Sequence, residues 1–309
     1  MNCLTRKHVA TTWALVWTVV AAAVTSTAAV ADELALIQYG PAKQLASLDS
    51  RQIRESSGLA CSRRVENLFW THNDSGDSAR IFAFGASGED LGSLAVVGAK
   101  ARDWEDMASM ILDGVPCLLL ADVGDNSSKR NSYTLYLMEE PRLDKNSHAT
   151  AGPVRLLQTV RFRYDDGAHN CESVAFDAKT KMVLLVTKSL FGAGCKVYSF
   201  AWPKSQTTDA SPAGTKVIAK VIAKLNVPLA TAMDISADGR RAIVVTYGPA
   251  YEFTRREGES WAKVFARGGR RLNMPLRTQG ESICYGTDGK TLYLTSERWP
   301  TPLWRISPK

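Results

Sequence analysis

Apolar residues fall in short alternating runs, each closed by a turn cluster, and the runs recur in one order along the chain. The clearest copy is Gln279-Gly280-Glu281-Ser282-Ile283-Cys284-Tyr285. It opens a strand at Glu281, turns at Asp288-Gly289, returns through Thr291 to Thr295 and ends in Ser296-Glu297-Arg298. A third strand follows at Pro302 to Ile306. The same order starts at Thr231 (strands to follow at Ala242 to Tyr247 and Ala250 to Arg255), at Glu172 (Met182 to Lys188, Cys195 to Phe200), at Glu105 (Cys117 to Ala121, Tyr133 to Met138) and at Ser57 (Asn67 to Thr71, Arg80 to Phe84). Five copies, 48, 67, 59 and 50 residues apart, predict an all-β β-propeller of five blades, with a degenerate sixth left open.

Two ends are irregular. The last copy stops after three strands, while Glu33 to Tyr39 reads as a strand with no opening phrase of its own. A propeller must cover its edges, so the N-terminal strand is expected to complete the last blade. Fourth strands elsewhere are expected at Ser93 to Val97, Val154 to Tyr164, Val217 to Leu225 and Trp261 to Ala266. No linker divides the chain, and Asp209 to Gly214 reads as a surface loop within a repeat.

Before the repeats, Arg6-Lys7-His8 precedes an apolar run from Trp13 to Val24, and Ala29-Val30-Ala31 supplies a small-residue cleavage site. Residues 1–31 therefore read as a secretory signal peptide, which leaves 32–309 as a single secreted or periplasmic domain without a membrane span. Without the leader, 36 basic residues face 31 acids, net +5, an excess that leaves small anionic ligands open. The densest basic run, Arg267-Gly-Gly-Arg270-Arg271, has no interleaved aromatic residue, so it reads as a solvated loop and no nucleic-acid partner is expected. Five cysteines remain outside the leader. Cys61 and Cys284 read as small buried apolar residues; export permits a disulfide, for which Cys171 with Cys195 is the pair to test. Zinc-ligand spacing, a nucleophile elbow, a P-loop and a dinucleotide fingerprint are all missing.

First strands line a propeller's channel, so Ser57, Glu105, Glu172, Thr231 and Glu281 are expected to converge near the axis. Two readings follow. Three carboxylates sharing a small volume call for a hard cation with oxygen ligands, for which Ca2+ fits best. Alternatively, these groups bond neighbouring strand amides and hold the repeats together. The order Ser, Glu, Glu, hydroxyl, Glu resembles the five-bladed calcium-activated nucleotidases (apyrases). Trp70-Thr-His-Asn-Asp-Ser-Gly76, Asp103-Trp-Glu-Asp-Met-Ala108, Gly124-Asp-Asn126 and Gln279-Gly-Glu-Ser282 look closer to exported bacterial propellers of the esterase-like phytase type. The nucleotidase resemblance implies a channel calcium ion and a site role for Asp74. It departs at Gly124-Asp-Asn126 and Lys188-Ser189, where that family carries Gly-Lys-Glu-Trp and paired arginines.

Second strands end in Asp74, Asp122, Asp125, Asn126, Lys188, Tyr247, Glu297 and Arg298, acids beside bases that could bind a metal and a phosphate together or could simply form turns. Two function classes stand. One is a metal-dependent hydrolase of a phosphate ester or related ester, with Asp74, Lys188 and Arg298 as the catalytic candidates and a small anionic substrate. The other is a non-catalytic binding propeller for a protein or glycan, with a structural ion.

Overall fold

The computed structural model describes residues 36–143, 152–189, 194–204 and 217–309. The leader segment 1–31 and the loop at Asp209 to Gly214 lie outside the described residues.

The alternating runs form strands that pair antiparallel with their sequence neighbours. After β1 (Lys43–Ser47), β2 (Ser56–Cys61), β3 (Leu68–Asn73), β4 (Arg80–Gly85) and β5 (Asp90–Val97) make one four-stranded set. β6 (Trp104–Leu112), β7 (Val115–Asp122), β8 (Tyr133–Glu139) and β9 (Val154–Tyr164) make the next. β10 (Cys171–Asp177), β11 (Met182–Thr187), β12 (Cys195–Ala201) and β13 (Val217–Leu225) follow. Then come β14 (Ala230–Ile235), β15 (Arg241–Thr246), β16 (Ala250–Thr254), the helix α1 (Trp261–Arg267) and β17 (Arg270–Leu272). β18 (Ser282–Tyr285), β19 (Leu292–Thr295) and β20 (Pro302–Ile306) end the chain, and β1 pairs antiparallel with β20.

The first strand of each set is buried along its whole length, or nearly so in β6, whereas the outermost strands alternate with solvent as in β9. Inner strands pack sideways: β2 on β6, β6 on β10, β10 on β14, β14 on β18 and β18 on β2. Radially stacked antiparallel sheets with buried inner strands make a β-propeller. The core lies between neighbouring sheets. Leu119, Leu135, Val160 and Phe162 of one set meet Val174, Leu185, Tyr198 and Phe200 of the next, and each such burial contributes roughly 1.5–3 kcal/mol.

Three expectations need correction. Trp261 to Ala266 is helical: Ser260 caps the first turn through Lys263 N, and Trp261, Val264 and Phe265 fall at helical spacing on the buried face, leaving β17 as the outer strand. At the N-terminus, the strand on β20 is β1; Tyr39 makes only an isolated bridge to Pro308. Cys171 and Cys195 are separate thiols, because their sulfurs turn to different carbonyls, Val186 O at 3.3 Å and Val227 O at 2.9 Å.

A backbone irregularity recurs where the chemistry is expected. The pairing of β2, β6, β10 and β14 with the following strand shifts register between Ser56 and Gly58, Trp104 and Asp106, Cys171 and Ser173, and Ala230 and Ala232. The skipped residues are Ser57, Glu105, Glu172 and Thr231. A bulge releases one residue from the ladder and re-aims its side chain, which is how a strand can present a polar group at its end.

Candidate metal centre

A second repeated feature faces the bulges. The N–H just past the second strand returns to the carbonyl of the residue two before the bulge: Asp74 to Glu55 (3.1 Å), Gly124 to Asp103 (3.1 Å), Lys188 to Asn170 (3.0 Å) and Glu297 to Gln279 (3.0 Å, two before Glu281). One backbone frame therefore holds an acid, a glycine, a lysine and a second acid at its return position. Their side chains divide the site into two arcs.

In the open arc, carboxylate oxygens of Asp74, Asp103 and Glu105 all lie within 4.8 Å of one another. Glu105 is only 3% exposed, and among the described residues its carboxylate has no hydrogen-bond donor. Burial pushes its carboxyl well above the usual range, and the charges of Glu172, Asp74, Asp103 and Glu281 add to the effect. Asp74 is pushed up to about 6 by burial first, with Asp103, Glu281 and Glu55 adding and the Ser75 N–H opposing. Asp103 is raised by burial, against the pull of Arg130. That arginine is committed elsewhere, at 2.8 Å from Asp122 Oδ1 and 2.7 Å from Gly124 O. Gly124 is needed for space, since a Cβ there would overlap Glu105 Oε1 and Asp103 Oδ2.

The paired arc satisfies itself. Lys188 Nζ lies 2.6 Å from Glu172 Oε2 and donates to Tyr247 Oη at 2.8 Å, while Asn170 Nδ2 donates to Glu172 Oε1 at 2.9 Å. Tyr247 in turn donates to Glu281 Oε1 at 2.7 Å. Burial pushes Glu172 up to about 7 even against Lys188; burial also pulls on Lys188, but Glu172 outweighs it and holds the ammonium above its ordinary value. Glu297 is pushed up to about 9 by burial, by its hydrogen bond to Glu281 and by that group's charge. Glu297, so raised, is the carboxyl on this side that favours its neutral form near neutral pH.

The sequence candidates thus divide. Glu105 and Asp74 stand in the open arc, joined by Asp103. Glu172, Glu281 and Lys188 stand in the paired arc. Ser57 Oγ donates to Glu105 O (2.5 Å) and Thr231 Oγ1 to Gly280 O (2.9 Å), so both hydroxyls bond the neighbouring repeat's backbone. Arg298 is exposed, with Nε on Gln279 Oε1 at 3.1 Å. Sequence reasoning missed Asp103 as a site residue, although a signal existed: a polar residue stands two before the opening position in four copies, as Glu55, Asp103, Asn170 and Gln279. It also missed Asp106, whose buried carboxylate accepts from Met107, Val174 and Met233 N–H (2.8, 2.9 and 3.1 Å) and ties β6, β10 and β14 together.

No family model matches the chain, and no curated protein matches it. Solved structures do. A gluconolactonase of Xanthomonas campestris aligns at 9% identity over 82% of this chain and 72% of that one, with a TM-score of 0.44. The nidogen of a nidogen/laminin complex aligns at 15% over 79% and 73%, with 0.41. The Pan2 WD40 domain of Neurospora crassa aligns at 9% over 84% of this chain, spanning 65% of that one, with 0.36. At these values the similarities bear on neither substrate nor site, and the functional reading rests on the chain's own geometry.

Proposed function

We propose that the chain is an exported five-bladed propeller, its last blade completed by β1, which binds one divalent cation through Asp74, Asp103 and Glu105. The observation that carries this reading is the buried Glu105 carboxylate, left without a donor between two further acids and under a glycine. An all-oxygen, carboxylate-rich donor set suits a hard cation, and calcium tolerates the irregular geometry of a site assembled from two repeats better than magnesium does. Such an ion would supply charge neutralisation and an electrophilic anchor for an anionic group.

On that basis the chain is a metal-dependent hydrolase of a small anionic ester, a phosphate ester by the resemblance of its Trp70 to Gly76 and Asp103 to Ala108 phrases to esterase-like phytase propellers. Asp74 would help hold the ion, and Lys188 and Arg298 would supply positive charge at the rim. A second reading, a non-catalytic propeller for a protein or glycan with a structural ion, is favoured by one observation: Lys188 is already occupied by Glu172 and Tyr247, and Arg298 rests on Gln279.

Thermal melts of the chain at pH 8 with calcium, magnesium or chelator test the cation site. At a hundredfold excess over Kd, calcium should add about 2.7 kcal/mol of stability, and Glu105→Gln should remove that gain. An unchanged wild-type melt at saturating calcium overturns the proposal. A phosphate-ester screen with Asp74→Ala then separates the two classes: calcium-dependent turnover lost in a folded variant supports the hydrolase, and calcium binding without turnover supports the binding propeller.

A further inference from the structure

Away from the acids, Cys61 and Cys284 stand apart from the other thiols. Cys61 ends β2 and Cys284 lies within β18, the inner strands of the first and last sets, which pack against each other. Their sulfurs are 3.6 Å apart. Both residues are buried among Leu59, Phe69, Phe82 and Leu303. Cys171 and Cys195 direct their thiols to carbonyls, whereas among the described residues Cys61 and Cys284 have only each other as a polar partner. A disulfide requires the sulfurs to approach by about a further 1.5 Å.

We propose that Cys61 and Cys284 form a disulfide that fastens the first repeat to the last. The seam it would cross lies between the first set and the last, where β2 packs on β18, and among the described residues only non-covalent contacts hold those two sheets together. Cys61 lines a recess of about 140 Å³ with Ser62, Asn67, Phe69, Thr287 and Tyr293, while Cys284 does not reach it. This assigns the order of events. The Cys61 thiolate attacks one sulfur of an external disulfide, RSSR, and releases one RS⁻; the Cys284 thiolate then attacks Cys61 Sγ in the mixed disulfide and releases the second. The two thiol protons end on two RSH, and the external disulfide is the two-electron oxidant. Burial, with Cys61 next to it, pushes the Cys284 thiol well up, which leaves Cys61, at the recess, as the thiol that meets the external disulfide first. The proposal is independent of the cation site.

The test is incubation of the purified full chain with oxidised glutathione, followed by acid quench, alkylation after unfolding, and peptide mapping without reduction. The expected product is one Cys61–Cys284 linked peptide lacking two hydrogens, with a rise in Tm that dithiothreitol reverses. Cys61→Ser and Cys284→Ser should each abolish the link and the rise, and Cys117→Ser should keep both. The wild-type map stands without the variants, so a poorly folding variant does not blunt it. A persistent glutathione adduct on Cys61 with no internal link, or both cysteines recovered alkylated, overturns the proposal.

Discussion

Glu105 and Glu172 occupy the same place in neighbouring repeats, at the bulge of β6 and the bulge of β10, and meet opposite surroundings. Glu172 has Lys188 at 2.6 Å and Asn170 at 2.9 Å; Glu105 has Asp103, Asp74 and, among the described residues, no donor. The backbone frame is shared, since Lys188 N returns to Asn170 O as Gly124 N returns to Asp103 O. The contrast shows that the propeller supplies only the convergence of polar positions. The residue at the return position decides whether a buried carboxylate is neutralised by the protein or left to something from solution.

The largest effect should come from erasing that contrast on the paired side. Lys188→Met keeps the length of the side chain but strands a nearly buried Glu172, at a cost that reaches about 4 kcal/mol by urea denaturation at about pH 9, where the carboxyl is ionised. The loss should shrink as pH falls, because a protonated Glu172 needs no counter-charge. Calcium should recover more stability in this variant than in the wild type, since the paired arc then resembles the open one. A loss that no cation relieves would show that the arcs differ in geometry as well as in charge.

A comparable effect should appear under the open arc, where His72 sits two residues before Asp74. Its ring is fully buried, edge-on to Trp104 at 5.5 Å, with Nδ1 2.9 Å from Asn73 O and Nε2, among the described residues, without a partner in full hydrogen-bond geometry. Burial lowers its pKa to about 4, although the Asn73 and Asp106 backbone contacts and the Asp77 charge push the other way. The folded value lies below the unfolded one, so neutral His72 contributes stability that is present above about pH 6.5 and lost as pH falls toward 4, up to roughly 3 kcal/mol. Imidazole proton shifts followed by NMR should stay at the neutral position until about pH 4. Titration near 6.5 would make His72 an internal counter-charge for the open arc and weaken the case for a cation.

How far such details were readable in advance depends on what repeats. Copies opening at Ser57, Glu105, Glu172, Thr231 and Glu281 were enough for the strands and their antiparallel order, because period-two alternation and turn residues are local signals. Trp261 to Ala266 was misread because a short apolar run carries no firm period; the deciding marks were Ser260 and the 261, 264, 265 spacing. The partition into arcs was out of reach. It depends on Gly124 and Lys188 standing at one return position, and Gly124 follows Glu105 by 19 residues where Lys188 follows Glu172 by 16, which hides the correspondence in a linear comparison.

A smaller effect, confined to the open arc, should follow from Gly124→Ala. Gly124 does not have a left-handed backbone, so the added methyl acts only by overlap with Glu105 Oε1 and Asp103 Oδ2. Displacing the two carboxylates should cost about 2 kcal/mol and weaken calcium binding roughly tenfold by titration calorimetry. The same calorimetric affinity in a folded variant would mean that the ion does not use Glu105 and Asp103 together.

The smallest effect isolates one hydrogen-bond link within the paired arc. Tyr247 accepts from Lys188 and donates to Glu281, and its ring also lies under the Lys188 ammonium at 4.9 Å. Tyr247→Phe keeps the ring and removes only the hydroxyl, so Lys188 retains Glu172 while Glu281 loses the hydroxyl's hydrogen bond. The expected cost is about 1 kcal/mol, the worth of a typical partly buried hydrogen bond, read from the urea midpoint at constant m. Calcium affinity at Asp74, Asp103 and Glu105 should stay within about twofold, because the lost hydroxyl touches none of the three. If calcium affinity fell with stability, Glu281 would have to be counted among the cation's ligands, and the site would span both arcs rather than one.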